Sequence, residues 1–240
     1  MSSKVAILLF SCSPEDLSWE EPVVTIPGLS PAVEQLHKAI VADIAERFVE
    51  QTSNRVILFE TSDSSIESMP SIPSKVERKI QSPGLLHRRI QEGTREVFEG
   101  GGVTSTVVFL GRNPLYPLNL LSRGIDLLGQ EDDVVVLGEG QQEMHKPSLM
   151  WIALKSYHPE LFEENERWWQ GGTPLLQAAA DADALIMTVK PVRNIMSVDD
   201  LGYLFHETER EVLLKQWYPV RTYEALWQMR RQRLIPETAE

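Results

Sequence analysis

The sequence predicts an α/β domain, a three-layer α/β/α sandwich on a mostly parallel sheet. Three observations predict it. Short runs rich in Val, Ile and Leu alternate with stretches whose apolar residues recur every three or four positions, the mark of strands alternating with amphipathic helices. The runs are continuously apolar, as strands covered on both faces require. A chain of 240 residues also buries roughly 70–75% of its unfolded surface, enough for one large core or two modest ones.

Lys4 to Phe10 (KVAILLF) reads as a central strand. Pro31 to Thr52 reads as a helix, because Val33, Leu36, Ile40, Ile44 and Phe48 share one face and Pro31 suits a first turn. Arg55 to Phe59 is a second strand, Gly84 to Phe98 a second helix and Thr104 to Leu110 a third strand. Pro114 to Leu128 is expected to be helical, Asp133 to Leu137 a fourth strand and Ser148 to Leu154 a fifth. Pro174 to Ala182 is a further helix and Ala184 to Val189 a sixth strand. No helical pattern joins the fourth and fifth strands, so one strand is expected to run antiparallel.

Two stretches break the alternation. Ser11 to Ser30 reads as a long polar loop carrying Glu15, Asp16, Glu20 and Glu21. Thr61 to Pro83 is rich in Ser and Pro and reads as a mobile surface excursion. The expected division is residues 1–204 as the α/β domain and 205–240 as a helical C-terminal extension. That extension carries Leu213, Leu214, Trp217, Tyr223, Leu226 and Trp227. It either packs back on the domain or forms a homodimer contact.

Charge and cysteine content exclude several function classes. Lys+Arg 23 against Asp+Glu 35 leaves a net charge of −12, which disfavours nucleic acid and anionic membrane surfaces as partners. The lone cysteine, Cys12, permits neither an intrachain disulfide nor a cysteine-based zinc site. Val5 to Phe10 is too short for a signal-peptide core or a membrane helix. The expectation is a cytoplasmic protein.

In open α/β sheets ligands sit at the carboxyl ends of the strands, and there several segments follow one another in a telling order. Val107-Val108-Phe109-Leu110-Gly111-Arg112-Asn113-Pro114-Leu115 closes the third strand. Val136-Leu137-Gly138-Glu139 leads to Leu149-Met150-Trp151-Ile152-Ala153-Leu154, and His158-Pro159-Glu160-Leu161-Phe162 precedes Trp168. Asn194-Ile195-Met196-Ser197-Val198-Asp199-Asp200-Leu201 comes late, and Leu85-Leu86-His87-Arg88 opens the second helix. In order and spacing these segments resemble the motifs of the selenodomain-associated transferases, a bacterial family of GT-A type catalogued as a domain of unknown function. The resemblance spans roughly residues 4–204. It implies the GT-A fold of nucleotide-diphospho-sugar transferases, a nucleotide or nucleotide sugar as ligand, and Mg²⁺ or Mn²⁺ if the chain is active. It places ligand contacts at Arg88, Gly111, Arg112, Asn113, Asn194 and Asp199.

The chemistry that resemblance implies is not matched residue by residue. A nucleoside phosphate needs cations, backbone N–H groups and usually a carboxylate-held metal. The family supplies a basic loop after its first strand; here no Lys or Arg lies between Lys4 and Lys38. The family's metal-binding aspartates align with Asn113, with Gln141 to His145, and with Asn194 and Met196. Losing loop cations and carboxylates together points to loss of the metal-dependent transfer, with no resident metal or other cofactor. The expected function is therefore a binding protein, the alternative being an active glycosyl- or nucleotidyltransferase.

Other residues admit two readings. Glu139, Glu143 and His145, beside the expected cleft, can act as an acid/base set or hold a metal, or can be a solvated loop. Arg112 can bind an anion or fill the space of a metal. Asp199-Asp200 can line the cleft or cap a helix starting near Val198. Asp181-Ala182-Asp183 and Asp132-Asp133 precede strands and so lie away from the ligand edge. Cys12 among acidic neighbours reads as an unreactive thiol.

Overall fold

The structure, a computed structural model, describes residues 5–11, 29–61, 71–110, 112–130, 132–141, 147–163, 173–195, 197–214, 217 and 219–235. Cys12, most of the acidic loop, Gly111, Glu143, His145, Trp168 and Met196 lie outside the described residues. The strands are β1 (Val5–Phe10), β2 (Arg55–Glu60), β3 (Glu77–Ile80), β4 (Ser105–Phe109), β5 (Val134–Gln141), β6 (Pro147–Leu154) and β7 (Leu185–Arg193). The helices are α1 (Leu29–Gln51), α2 (Leu86–Glu99), α3 (Leu118–Leu127), α4 (Glu160–Glu163), α5 (Thr173–Asp181), α6 (Val198–Leu214) and α7 (Val220–Arg231).

The sheet order is β3-β2-β1-β4-β6-β5-β7. β6 runs antiparallel to β4 and β5, and the other pairings are parallel. The three-layer, mostly parallel architecture read from the sequence is thus present, including the antiparallel strand. β1 is central and buried along its whole length, which is why its six residues carry no polar side chain. Its side chains alternate between two helical layers. Leu9 faces the same side as Phe109, which meets Phe48 of α1 and Tyr116 edge-on at 5.1 and 5.6 Å between ring centroids. Phe10 faces the other side and stacks on Phe59 at 4.8 Å, beneath Gly93 of α2.

β3 corrects the reading of residues 61–83 as an excursion throughout. Glu77–Ile80 adds a parallel edge strand to β2. Its sequence, ERKI, has no apolar run because one side of an edge strand stays in water, and charge there discourages pairing with other chains. Arg78 grips the buried Glu60 with two hydrogen bonds of 2.7 and 2.8 Å. The helix expected from Pro114 begins only at Leu118. Residues 112–117 instead form the loop that shapes the candidate site.

The C-terminal helix α7 lies against α1. Asp43 of α1 is fully buried; it accepts hydrogen bonds from the Thr222 backbone N–H at 2.7 Å and from Arg221 Nη1 at 2.9 Å. Its carboxylate therefore satisfies an orphan donor at the first turn of α7. Arg221 also reaches Glu46 and the Ser71 carbonyl. Among the described residues, no helix is long and apolar enough to cross a membrane.

Candidate functional site

The carboxyl ends of β1, β4, β5 and β7 meet at one edge of the sheet. There the loop after β4 and the turn after β7 are stitched together by two asparagines. Asn113 Oδ1 accepts from the Leu115 backbone N–H at 2.9 Å, a local turn that Asn favours. Its Nδ2 donates across to the Arg193 carbonyl at 3.0 Å. Asn194 answers from the other side, its Oδ1 accepting from the backbone N–H of Arg112 and of Ile195, both at 3.1 Å. Asn194 Nδ2 donates to Ser148 Oγ at 3.3 Å. Both asparagines are buried, so every one of these bonds replaces one that water would otherwise make.

Gly140 makes this closeness possible. A Cβ there would stand 2.3 Å from Ser148 Oγ and 2.9 Å from Asn194 Cβ. A register irregularity in β5 at Gly138 and Glu139 re-aims the strand just before this contact. Glu139 sits on the irregularity, half-buried.

Arg112 is 2% exposed, among the largest fully enclosed side chains of the chain. A guanidinium keeps its charge at any ordinary pH, so the loop after β4 carries a buried charged side chain immediately before Asn113. The turn after β7 is itself closed by an ion pair. Arg193 Nε donates to Asp200 Oδ1 at 2.8 Å, and its guanidinium lies 4.2 Å from the Tyr203 ring centroid. Burial is the main cause of the raised pKa of the Tyr203 phenol.

Asp200 is also half of a helix cap. Ser197 Oγ accepts from the Asp200 N–H at 3.1 Å, while Asp200 Oδ2 accepts from the Ser197 N–H at 3.0 Å. That reciprocal pattern fixes the start of α6 at Val198. The capping alternative for Asp199-Asp200 therefore holds for Asp200, whereas Asp199 stands exposed on the first turn.

Of the residues named from the sequence, the structure brings Arg112, Asn113 and Asn194 together and puts Glu139 on the adjoining strand. Arg88 is not among them. It is exposed on α2, its Nη1 donating to Gln91 Oε1 at 3.0 Å. Its neighbour Arg89, 6% exposed, points inward instead, and its Nη1 donates to Gln81 Oε1 at 3.0 Å. Gln81 Nε2 in turn holds the Ser11 and Phe59 carbonyls at the ends of β1 and β2, both at 2.7 Å. Sequence reasoning missed Arg89, Gln81, Arg193 and Ser148. The signal for Arg89 was present, since the buried stripe Leu86, Ile90, Gly93 and Val97 takes in position 89 and leaves out 88.

The described residues of this edge do not fit a divalent cation. Its central oxygens are neutral amides already accepting N–H bonds, and the buried Asp200 carboxylate is taken up by Arg193 and Ser197. Among the described residues no group of three His, Cys, Asp or Glu side chains is placed to hold a metal ion. Asp132 and Asp133 lie at the opposite edge, bound to Lys155 and Ser156, and Asp181 closes α5 with a bond from Gln177.

The same architecture occurs in solved structures of other proteins. A candidate nucleotide-diphospho-sugar transferase from Desulfovibrio desulfuricans G20 superposes with a TM-score of 0.68 at 16% identity, over 95% of this chain and 96% of that one. The 4-diphosphocytidyl-2C-methyl-D-erythritol synthase of Anaerococcus prevotii superposes with a TM-score of 0.56 at 11% identity, over 87% and 97%. CMP:2-keto-3-deoxy-manno-octonic acid synthetase, solved in complex with CTP, gives 0.50 at 9% identity, over 88% and 100%. No protein-family model and no curated protein matches the sequence. The fold is that of the nucleotide-diphospho-sugar transferases and cytidylyltransferases.

Proposed function

We propose that this chain keeps the nucleotide-sugar transferase scaffold without its metal-dependent transfer step, and acts as a binding protein. One observation carries the reading. At two of the positions where the resemblance expects metal-holding aspartates, Asn113 and Asn194 spend their amide oxygens on backbone N–H groups. Asn194 Oδ1 has both lone pairs engaged, and neither residue brings the negative charge a divalent cation demands.

Arg112 belongs to the same loop: its backbone N–H is one of the two donors that occupy Asn194 Oδ1, and its side chain is enclosed. In this reading Arg112, Asn113 and Asn194 form the ligand-facing floor and Glu139 borders it, while Arg88 and Asp199 serve the surface; Gly111 as a ligand contact and Glu143 and His145 as acid/base residues remain part of the proposal by sequence alone. The motif order supports kinship with the selenodomain-associated transferases. Residues 1–204 are then the transferase-like domain and 205–240 its extension. The second reading, an active glycosyl- or nucleotidyltransferase using Mg²⁺ or Mn²⁺, is favoured by the CTP complex of a fold neighbour.

A thermal-shift panel of CTP, UDP and nucleotide sugars separates the two. A ligand at a hundred times its Kd stabilises a protein by about 2.7 kcal/mol. We expect any shift to be the same with Mn²⁺ as with EDTA. A shift that appears only with Mn²⁺ overturns the binding-protein reading and leaves the transferase.

A further inference from the structure

The outward face of α7 is complementary to itself. Its exposed residues are Val220, Glu224, Trp227, Gln228, Arg230 and Arg231; all but Arg230, whose guanidinium lies over the Phe205 ring, fall on one stripe. Trp227 is 43% and Val220 48% exposed. Tyr223, Glu224, Trp227, Gln228 and Arg231 line a shallow depression along the stripe, and the Arg231 guanidinium lies 4.9 Å from the Trp227 ring centroid.

Glu224 stands three residues before Trp227, and Arg231 three residues after Gln228. Reversing the helix about the midpoint of Trp227 and Gln228 therefore exchanges acid for base. We propose that α7 pairs antiparallel with α7 of a second copy of this chain, about a two-fold axis through that midpoint. Each Arg231 then faces the partner's Glu224, and the two indoles close the centre. A two-fold interface needs one patch that complements itself under reversal, and this stripe is such a patch. It carries one acid and one base at mirrored positions, so the net −12 of the chain does not repel a second copy there. The helix is already held by Asp43 through Arg221 and Thr222, so little ordering is needed on association. The indoles supply most of the attraction, and the rim ion pairs set the direction.

Sedimentation equilibrium over a concentration series tests the pairing. The wild-type chain is expected to pass from monomer to dimer. Glu224→Arg places like charges at both ends of the pair and should weaken the dimer about tenfold or more. Combining Glu224→Arg with Arg231→Glu restores the complement and should recover the dimer. A wild-type chain that stays monomeric overturns the proposal. So does a dimer indifferent to Glu224→Arg, or a loss that the double exchange fails to repair.

Discussion

Trp151→Ala is expected to lower stability by about 3–5 kcal/mol, the range for emptying a large buried aromatic site. Trp151 is completely buried on β6, paired with Phe109 on one side and Gly138 on the other. Its indole fills a slot made by two glycines. A Cβ on Gly138 of β5 would lie 2.1 Å from Trp151 Cε2, and one on Gly124 of α3 would lie 2.2 Å from Trp151 Cη2. These glycines are kept for close approach, because the ring leaves no room for a methyl group at either. The slot sets how near α3 comes to the sheet, and α3 follows directly from the Arg112–Asn113 loop. Emptying it should therefore loosen the candidate site along with the core.

The same geometry predicts coupling. Gly138→Ala alone forces the indole to move and should cost about 1–3 kcal/mol or more, as overpacking does. In a Trp151→Leu background the clash is gone, so the second substitution should cost far less than it does alone. Urea unfolding of the four chains of this cycle measures the interaction directly. Independent, additive costs would show that the indole does not occupy the slot.

The second large effect is expected at Asp43. Asp43→Ala strands the Thr222 N–H without its acceptor and takes from Arg221 one of its carboxylates, at a cost of about 3 kcal/mol. The lower end of the range for breaking a buried pair applies because Arg221 keeps Glu46 and stays partly exposed. The loss should be local first: hydrogen exchange should quicken across α7 before α1 or the sheet. Asp43→Asn still offers an oxygen to Thr222 and should cost less.

Burial pushes the Asp43 carboxyl above its ordinary value, against the hydrogen bonds from Thr222 and Arg221 that pull it down. Asp43 thus holds its proton more firmly folded than unfolded. Its contribution is complete below about pH 4 and declines as pH climbs through the folded value. The stability gap between wild type and Asp43→Asn should accordingly be narrower at pH 7 than at pH 4.

How far the sequence carried this account differed from element to element. Strands buried on both faces were legible because burial demands an unbroken apolar run, as in Val5 to Phe10 and Ser148 to Leu154. β3 was not, because an edge strand with one wet face needs no such run, and Glu77 to Ile80 reads as loop. At the site, Asn113 and Asn194 were legible as residues of the segments that follow β4 and β7. Their partners were not, since Arg112 with Asn194 and Asn113 with Arg193 lie 82 and 80 residues apart and only the sheet order brings them together. Arg88 and Arg89 are adjacent in the sequence and differ only in the face of α2 they occupy. Leu85, 59% exposed, stands ahead of α2, and Leu86, 3% exposed, is the first residue on its buried stripe.

The most direct test of the central claim is the electron paramagnetic resonance signal of Mn²⁺ with CTP, recorded before and after adding the protein. An edge that holds engaged amide oxygens where carboxylates would be needed should leave that signal as CTP alone leaves it. Disappearance of the signal into a protein-bound form, recovered by Asn113→Ala, would contradict the account.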